Sequence, residues 1–274
     1  MRLDRFVHML VASVSMVMLT VSAIILTPNM AGAITRGGDP DGGEHPYVGL
    51  IIFDVGGQPS HRCTGTLVTP TVVVTAGHCT YGTSAARMWF EEDVGAGIPG
   101  NGFPFGGGTA VEAASVHTHP QYDNFAFFLF DLGVVILDSP QYSFQYGQLP
   151  SQEQLTPLAK KRGRQDTTFT AVGYGLQQIK PIIKSDLVRL KADLRLIDMT
   201  GTFGVPPKTS IALSNNANTG GTCFGDSGGP LFVGDTNVIG AVTSFGLNGN
   251  CAGTGAGYRI DQPDDLDFLR GFMN

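Results

Sequence analysis

After residue 33 the chain is a succession of short β-branched segments broken by glycine and proline, and that alternation restricts the fold more than any other feature. Runs of Val, Ile, Thr and Phe bounded by turn residues read as strands. Residues 48–53 and 64–75 come first, with Pro70 marking a break inside the second run. Residues 95–108 contain Pro99, Pro104 and seven glycines, which predicts a long surface loop. Residues 129–137 are mostly apolar around a single acid, Asp131. Strand-like patches resume at 167–172, 187–196, 210–213, 231–233 and 238–245. Between the two sets, residues 138–156 carry Pro140, Pro150 and several Gln and Ser, the composition of a connection between domains. A basic cluster at 160–164 reads as a solvated loop. Helical spacing is singled out only near the end, where Leu266, Leu269 and Phe272 follow Pro263. The expectation is an all-β protein with one terminal helix.

Composition narrows the function classes. Charged residues make up 15% of the chain and Gly 38 of its 274 residues, a low-charge, turn-rich balance. The formal net charge of -6 offers no basic footprint, so no nucleic-acid partner is expected. At the N-terminus, Arg2 and Arg5 precede an apolar run over 6–26 and a polar stretch ending in Ala31-Gly32-Ala33. This is a basic start, an apolar core and a small-x-small cleavage site, so residues 1–33 are assigned as a signal peptide. The apolar run could instead stay as an anchor, but the cleavage pattern sits where signal peptidase needs it. A secreted, extracellular protein without membrane contact after cleavage is expected. Cys63, Cys79, Cys223 and Cys251 suit that oxidising compartment. Their spacing does not choose among the possible pairings, and no close Cys-x-x-Cys pair favours a structural zinc.

Three strings carry chemistry. The first is Gly225-Asp226-Ser227-Gly228-Gly229-Pro230. A serine hydroxyl is a poor nucleophile at neutral pH and needs a base beside it and oxyanion donors around it; flanking glycines let the backbone bring amides that close. An ordinary Gly/Ser/Asp turn is the bland alternative. The second string is Thr75-Ala76-Gly77-His78-Cys79, directly after Val72-Val73-Val74. His78 stands out from His8, His45, His61, His117 and His119 because Cys79 can pin its loop, and a general base must be held in place. The third begins at Asp131, an acid heading an apolar run, costly to bury unless a partner such as a histidine ring N–H meets it.

In the order His78, Asp131, Ser227, these strings resemble the chymotrypsin–trypsin family of serine proteases. The likeness covers nearly all of the chain after Ala33. It extends to His119-Pro120-Gln121-Tyr122, Val172-Gly173-Tyr174-Gly175 and Ser244-Phe245-Gly246 followed by Cys251. The resemblance implies two antiparallel six-stranded β-barrels with a short C-terminal helix and the active site in the cleft between them. One barrel would span 34–148 with His78 and Asp131, the other 149–274 with Ser227. It implies a serine endopeptidase in which Ser227 attacks, His78 is general base and Asp131 orients it. The backbone N–H groups of Gly225 and Ser227 would form the oxyanion hole, and Ser244, Phe245 and Gly246 would pair with extended substrate. It also implies disulfides Cys63–Cys79 and Cys223–Cys251. Protein or peptide substrates, protein inhibitors as further partners, a monomer, and no cofactor or metal complete the expectation; Glu91, Glu92 and Asp93 read as a solvated turn rather than a calcium loop.

Counting back from His45-Pro46-Tyr47 places the family's mature N-terminus at Ile34, the residue that signal cleavage would expose. Its amine would pair with Asp226, so no separate propeptide is expected. The primary pocket would be floored by Gly221 and Thr222, with Gly246 on one wall and the other drawn from Gly255, Ala256 and Gly257. Without an acid there, an uncharged apolar or aromatic residue before the scissile bond is expected. The family's third common disulfide is missing. Two rivals remain: a catalytically silent protease-like binding module, and an ester-cleaving enzyme using the same constellation. A nucleophile-elbow hydrolase is disfavoured, because its triad runs Ser…Asp…His.

Overall fold

The computed structural model describes residues 34–35, 38–160, 166–201, 204–216 and 219–273. The leader-like residues 1–33 and residues 161–164 of the basic cluster lie outside them.

The first apolar patches become β2 (Val48–Val55), β3 (Gln58–Leu67) and β4 (Val72–Thr75), preceded by a two-residue strand, β1 (Asp39–Pro40). Gly56 and Gly57 join β2 to β3 with φ of 61° and 79°, the left-handed pair that a tight hairpin turn needs. Pro70 falls in the bend before β4. A single helical turn, α1 (Gly77–Thr80), follows at once. Strands β5 (Ala85–Trp89), β6 (Val111–Thr118) and β7 (Gly133–Leu137) complete a closed antiparallel barrel in the order β2-β3-β4-β7-β6-β5. Ile51, Phe53, Leu67, Val73, Met88 and Val135 are buried in its core.

The second half repeats the architecture with β8 (Thr168–Gly173), β9 (Leu190–Asp198), β10 (Ser210–Asn215), β11 (Pro230–Val233), β12 (Ile239–Gly246) and β13 (Gly253–Arg259). The order is β9-β10-β13-β12-β11-β8, and pairing of β8 with β9 closes the barrel, with β1 added on β9. Strand β9 shows why: Leu190, Ala192, Leu194 and Leu196 are buried, while Asp193 and Arg195 between them face water. Each fully buried Leu or Phe of this kind contributes roughly 1.5–3 kcal/mol. The fold is therefore two six-stranded antiparallel barrels with few helices, as the resemblance implied.

A buried polar seam joins the barrels. Tyr174, just after β8, donates its hydroxyl to the carbonyl of Glu91 at 2.7 Å. The Arg189 guanidinium reaches the carbonyls of Val48 and Phe90 at 3.1 and 3.0 Å and pairs with Asp41 at 2.9 Å. Burial alone would raise the Asp41 carboxyl, but His45 and Arg189 outweigh it and hold it at about 2. A cation so placed needs that many partners to offset its desolvation.

The expected tail helix is α2 (Pro263–Arg270), with Pro in its first turn and Leu266 and Leu269 buried. None of the helices among the described residues is long and apolar enough to cross a membrane. Asp265 of α2 is buried and accepts the Tyr258 hydroxyl at 3.0 and 3.1 Å. Burial pushes its carboxyl up to about 8 from 3.8. His119 lies 3.9 Å away, and burial lowers its pKa, so at neutral pH the two are not an ion pair. A carboxyl raised on folding stabilises the native state below 3.8, and that contribution drains away as pH climbs towards 8. Asp265→Asn keeps an acceptor for Tyr258 without the titration. Urea midpoints at pH 5 and pH 8 should differ less for the variant than for the parent; equal losses would refute the assignment.

Candidate active site

His78 is delivered by the turn α1 at the end of β4, and the Cys63–Cys79 disulfide ties that turn to β3. Asp131 lies two residues before β7, fully buried, after Phe130 in a left-handed conformation of φ 51°. Its carboxylate accepts the His78 backbone N–H at 2.8 Å, and the His78 ring Nδ1 lies 3.0 and 2.9 Å from its two oxygens. The Ser244 hydroxyl donates to it from β12 of the other barrel. These donors compensate a buried charge that would otherwise be prohibitive. Burial lowers the His78 pKa, but the charge of Asp131 and its hydrogen bond outweigh that and raise it overall. With Nδ1 engaged by Asp131, the other ring nitrogen, Nε2, lies 3.7 Å from Sγ of Cys79 in the disulfide.

Ser227 sits on the loop between β10 and β11 and lines the same cleft as His78, a space of roughly 1010 Å³. No Ser227–His78 hydrogen bond is formed among the described residues; such contacts commonly tighten only on substrate binding. The loop is held from several sides. Thr64 of β3 donates its backbone N–H to the Ser227 carbonyl at 2.8 Å and its hydroxyl to the Gly225 carbonyl at 2.9 Å. The Gly228 N–H reaches Thr243 at 2.8 Å, and the Cys223–Cys251 disulfide anchors the loop's start. Both disulfides are thus those implied by the resemblance. Gly225 takes φ 99°, and a Cβ there would stand 2.6 Å from Nε of Arg62, so only glycine fits. The N–H groups of Gly225 and Ser227 donate to no acceptor among the described residues, the arrangement an oxyanion site requires.

Of the residues expected to bind substrate, Thr222, Ser244, Phe245 and Gly246 line the cleft, whereas Gly221 is buried and is not part of its lining. Phe245 and Gly246 pair with β13 while Ser244 falls at a bulge, and the other side of this stretch is unpaired because β11 begins opposite Val242. Phe245 packs edge-on against Phe127 at 5.8 Å. A Cβ on Gly221 would fall 2.0 Å from Oδ1 of Asn215. The Asn215 amide bonds both the N–H and the carbonyl of Thr222 at 2.8 Å. Of the three candidate wall residues, Gly255 faces Thr222, with a Cβ position 3.1 Å from its hydroxyl. Gly257 points at Leu231 and Ala241 of the core, and Ala256 lines a small crevice with Val205 and Pro206. Asn215, Thr64 and Arg62 are site residues that sequence reasoning missed; each is a single polar residue with no motif around it.

Other expectations place as follows. Asp226 is enclosed, accepting the N–H groups of Gly175 at 2.7 Å and Cys223 at 2.9 Å; burial raises its carboxyl to about 6. Ile34 is buried, its neighbour Thr35 bonds Gly221 at 2.8 Å, and no Ile34–Asp226 bond is formed in this uncut chain. His45 pairs with Asp41, His61 with the carbonyl of Cys79 and His117 with Ser115. Cys63, Cys79 and His78 lie close together, but both sulfurs are in the disulfide and offer no thiolate. Glu91 and Glu92 are engaged by Thr109 and the Gly42 N–H.

Comparison with known proteins agrees with this geometry. The family model for trypsin matches residues 34–262. Trypsin iota of Drosophila melanogaster is 30% identical over 192 residues, 67% of this chain and 68% of its own length. A trypsin of Saccharopolyspora erythraea is 29% identical over 221 residues, covering 78% and 86%. The solved structure of HL collagenase superposes with a TM-score of 0.66 over 84% of this chain and 94% of its own, at 19% identity, a likeness of fold.

Proposed function

The chain belongs to the trypsin family of serine endopeptidases, and from that premise we propose that it is a secreted enzyme acting through Ser227, His78 and Asp131. The observation that carries the reading is a buried Asp131 holding Nδ1 of His78 in the cleft that also contains Ser227. His78 Nε2 takes the Ser227 proton as the hydroxyl attacks the scissile carbonyl, and Asp131 stabilises the imidazolium that forms. The oxyanion is received by the N–H groups of Gly225 and Ser227. The proton then passes to the leaving amine, and water repeats the sequence on the acyl-enzyme.

A neutral pocket supports a preference for uncharged residues before the scissile bond. Thr222 and Gly246 line the cleft, the backbone of Thr222 is held by the Asn215 amide, and Gly255 lies against the Thr222 hydroxyl; none of these residues carries a charge. Peptides differing only at that residue test this. Phe, Tyr or Leu should be cleaved at least about tenfold faster than Arg or Lys, the factor equivalent to 1.4 kcal/mol; faster cleavage after Arg would overturn the pocket assignment.

Maturation is proposed to follow from export alone. The match to the family begins at residue 34, and cleavage after Ala33 would free the Ile34 amine to reach Asp226. An ammonium beside a buried carboxylate has its pKa raised above its free value of about 8. The pair is therefore intact below that free value and lost as pH rises through the raised one, so activity should fall at strongly alkaline pH. A secreted form carrying one extra residue ahead of Ile34 should lose most of its activity. Full activity in that form would exclude the idea.

A further inference from the structure

Arg62 is the cation that the reaction does not explain. It follows His61 on β3, lines the cleft beside Cys63, and its Nε lies against Gly225 of the oxyanion loop. Its Nη1 donates to the Ser185 hydroxyl at 2.7 Å, whereas Nη2 is buried and has no hydrogen-bond partner. No carboxylate among the described residues forms an ion pair with it. Asp226 acts on it through space, but its oxygens already accept the N–H groups of Gly175 and Cys223. The neighbouring acid Asp186 is paired with Lys184 at 2.8 Å. A partly desolvated guanidinium with an idle donor is costly unless an anion completes it.

Its place in the cleft says which part of a substrate could do so. Resting on the proposed role of Ser227, the chain before the scissile bond lies along Ser244–Gly246, and the chain after it leaves over the opposite lip. His61, Arg62, Cys63 and Leu176 all line the cleft, and Arg62 borders Gly225; these residues would form that lip. We propose that Arg62 forms a subsite for an acidic side chain in the first two residues after the scissile bond. On binding, the side chain would turn its buried Nη2 towards the cleft, so that the carboxylate meets the planar fork of the guanidinium, the geometry in which arginine binds carboxylates most selectively. Substrate choice would then be set twice: by a neutral pocket before the bond and by a positive one after it.

The test uses C-terminally amidated peptides, so that a side-chain carboxylate is the only one offered. The peptides share one cleaved residue and carry Asp, Asn or Lys at the first or second position after it. The wild type should show kcat/KM for Asp over Asn of about tenfold or more at one of those positions, equivalent to 1.4 kcal/mol. The ratio should fall towards one in about 0.5 M salt, where screening is short-ranged. It should vanish in Arg62→Gln and survive in part in Arg62→Lys. A wild-type ratio near one, or a ratio that Arg62→Gln leaves intact, overturns the proposal. Should Arg62→Gln fail to fold, the salt series on the wild type decides: a ratio indifferent to salt overturns it. Cleavage without acid preference defeats the subsite alone, whereas no cleavage of any peptide defeats the endopeptidase mechanism and the subsite with it.

Discussion

Ser227→Ala is expected to lower kcat on a peptide substrate by on the order of 10⁶, the scale general to triads of this kind, with KM little changed. The hydroxyl forms the acyl bond, and neither His78 nor the oxyanion amides can replace it as nucleophile. Folding should survive, because the Ser227 hydroxyl takes part in no hydrogen bond among the described residues, while its carbonyl is held by Thr64. A thermal midpoint within a degree or two of the parent would establish that, since substitutions away from such networks usually cost under about 0.5 kcal/mol. Retention of more than about a hundredth of the activity in the folded variant would remove Ser227 from the mechanism.

Asp131→Asn should cost about 10⁴ in kcat, the usual consequence of presenting the wrong partner to the base. The carboxylate now accepts from the His78 N–H, from ring Nδ1 and from the Ser244 hydroxyl. An asparagine has one acceptor oxygen and an NH2 that must face one of those donors. If it faces Nδ1, the ring carries its proton on Nε2 and cannot act as base. Whichever way it turns, the charge that stabilises the imidazolium is gone. The pH profile separates this from a loss of packing. Asp131 raises the His78 pKa against a burial that lowers it, so the acid limb of kcat/KM in the parent should lie above the ordinary histidine value of 6.5. In the variant the acid limb of the residual activity should move to lower pH. An acid limb that does not move would mean that Asp131 does not act through the charge of His78.

Motif and alternation made much of this legible, and isolated polar residues did not. The runs at 48–53, 64–75 and 238–245 became strands because their β-branched side chains fill barrel interiors, and the Leu266/Leu269 spacing marked α2 correctly. Strands β5, β6 and β13 lie outside the runs that alternation marks. In β5, Arg87 sits inside the apolar pattern because Asp54 of the neighbouring strand β2 neutralises it, a compensation that local sequence does not display. In β13, glycines replace β-branched residues: Gly255 faces Thr222, and Gly257 leaves room for Leu231. Asp131 does not open its strand but precedes it by two residues, where the chain turns it towards His78. The motifs around His78 and Ser227 announced themselves as strings. Thr64, Asn215 and Arg62 gain their meaning from partners 161, 7 and 123 positions away, visible only once the barrels close.

Everything proposed for the mechanism turns on Ser227 being an activated nucleophile. The measurement that tests it most directly is the intact mass of the secreted protein before and after a serine-directed phosphonate, with Ser227→Ala alongside. The expected result is a chain beginning at Ile34 that gains one adduct, and an alanine variant that gains none. A folded chain beginning at Ile34 that takes up no phosphonate would contradict it and leave a silent, protease-shaped binding module.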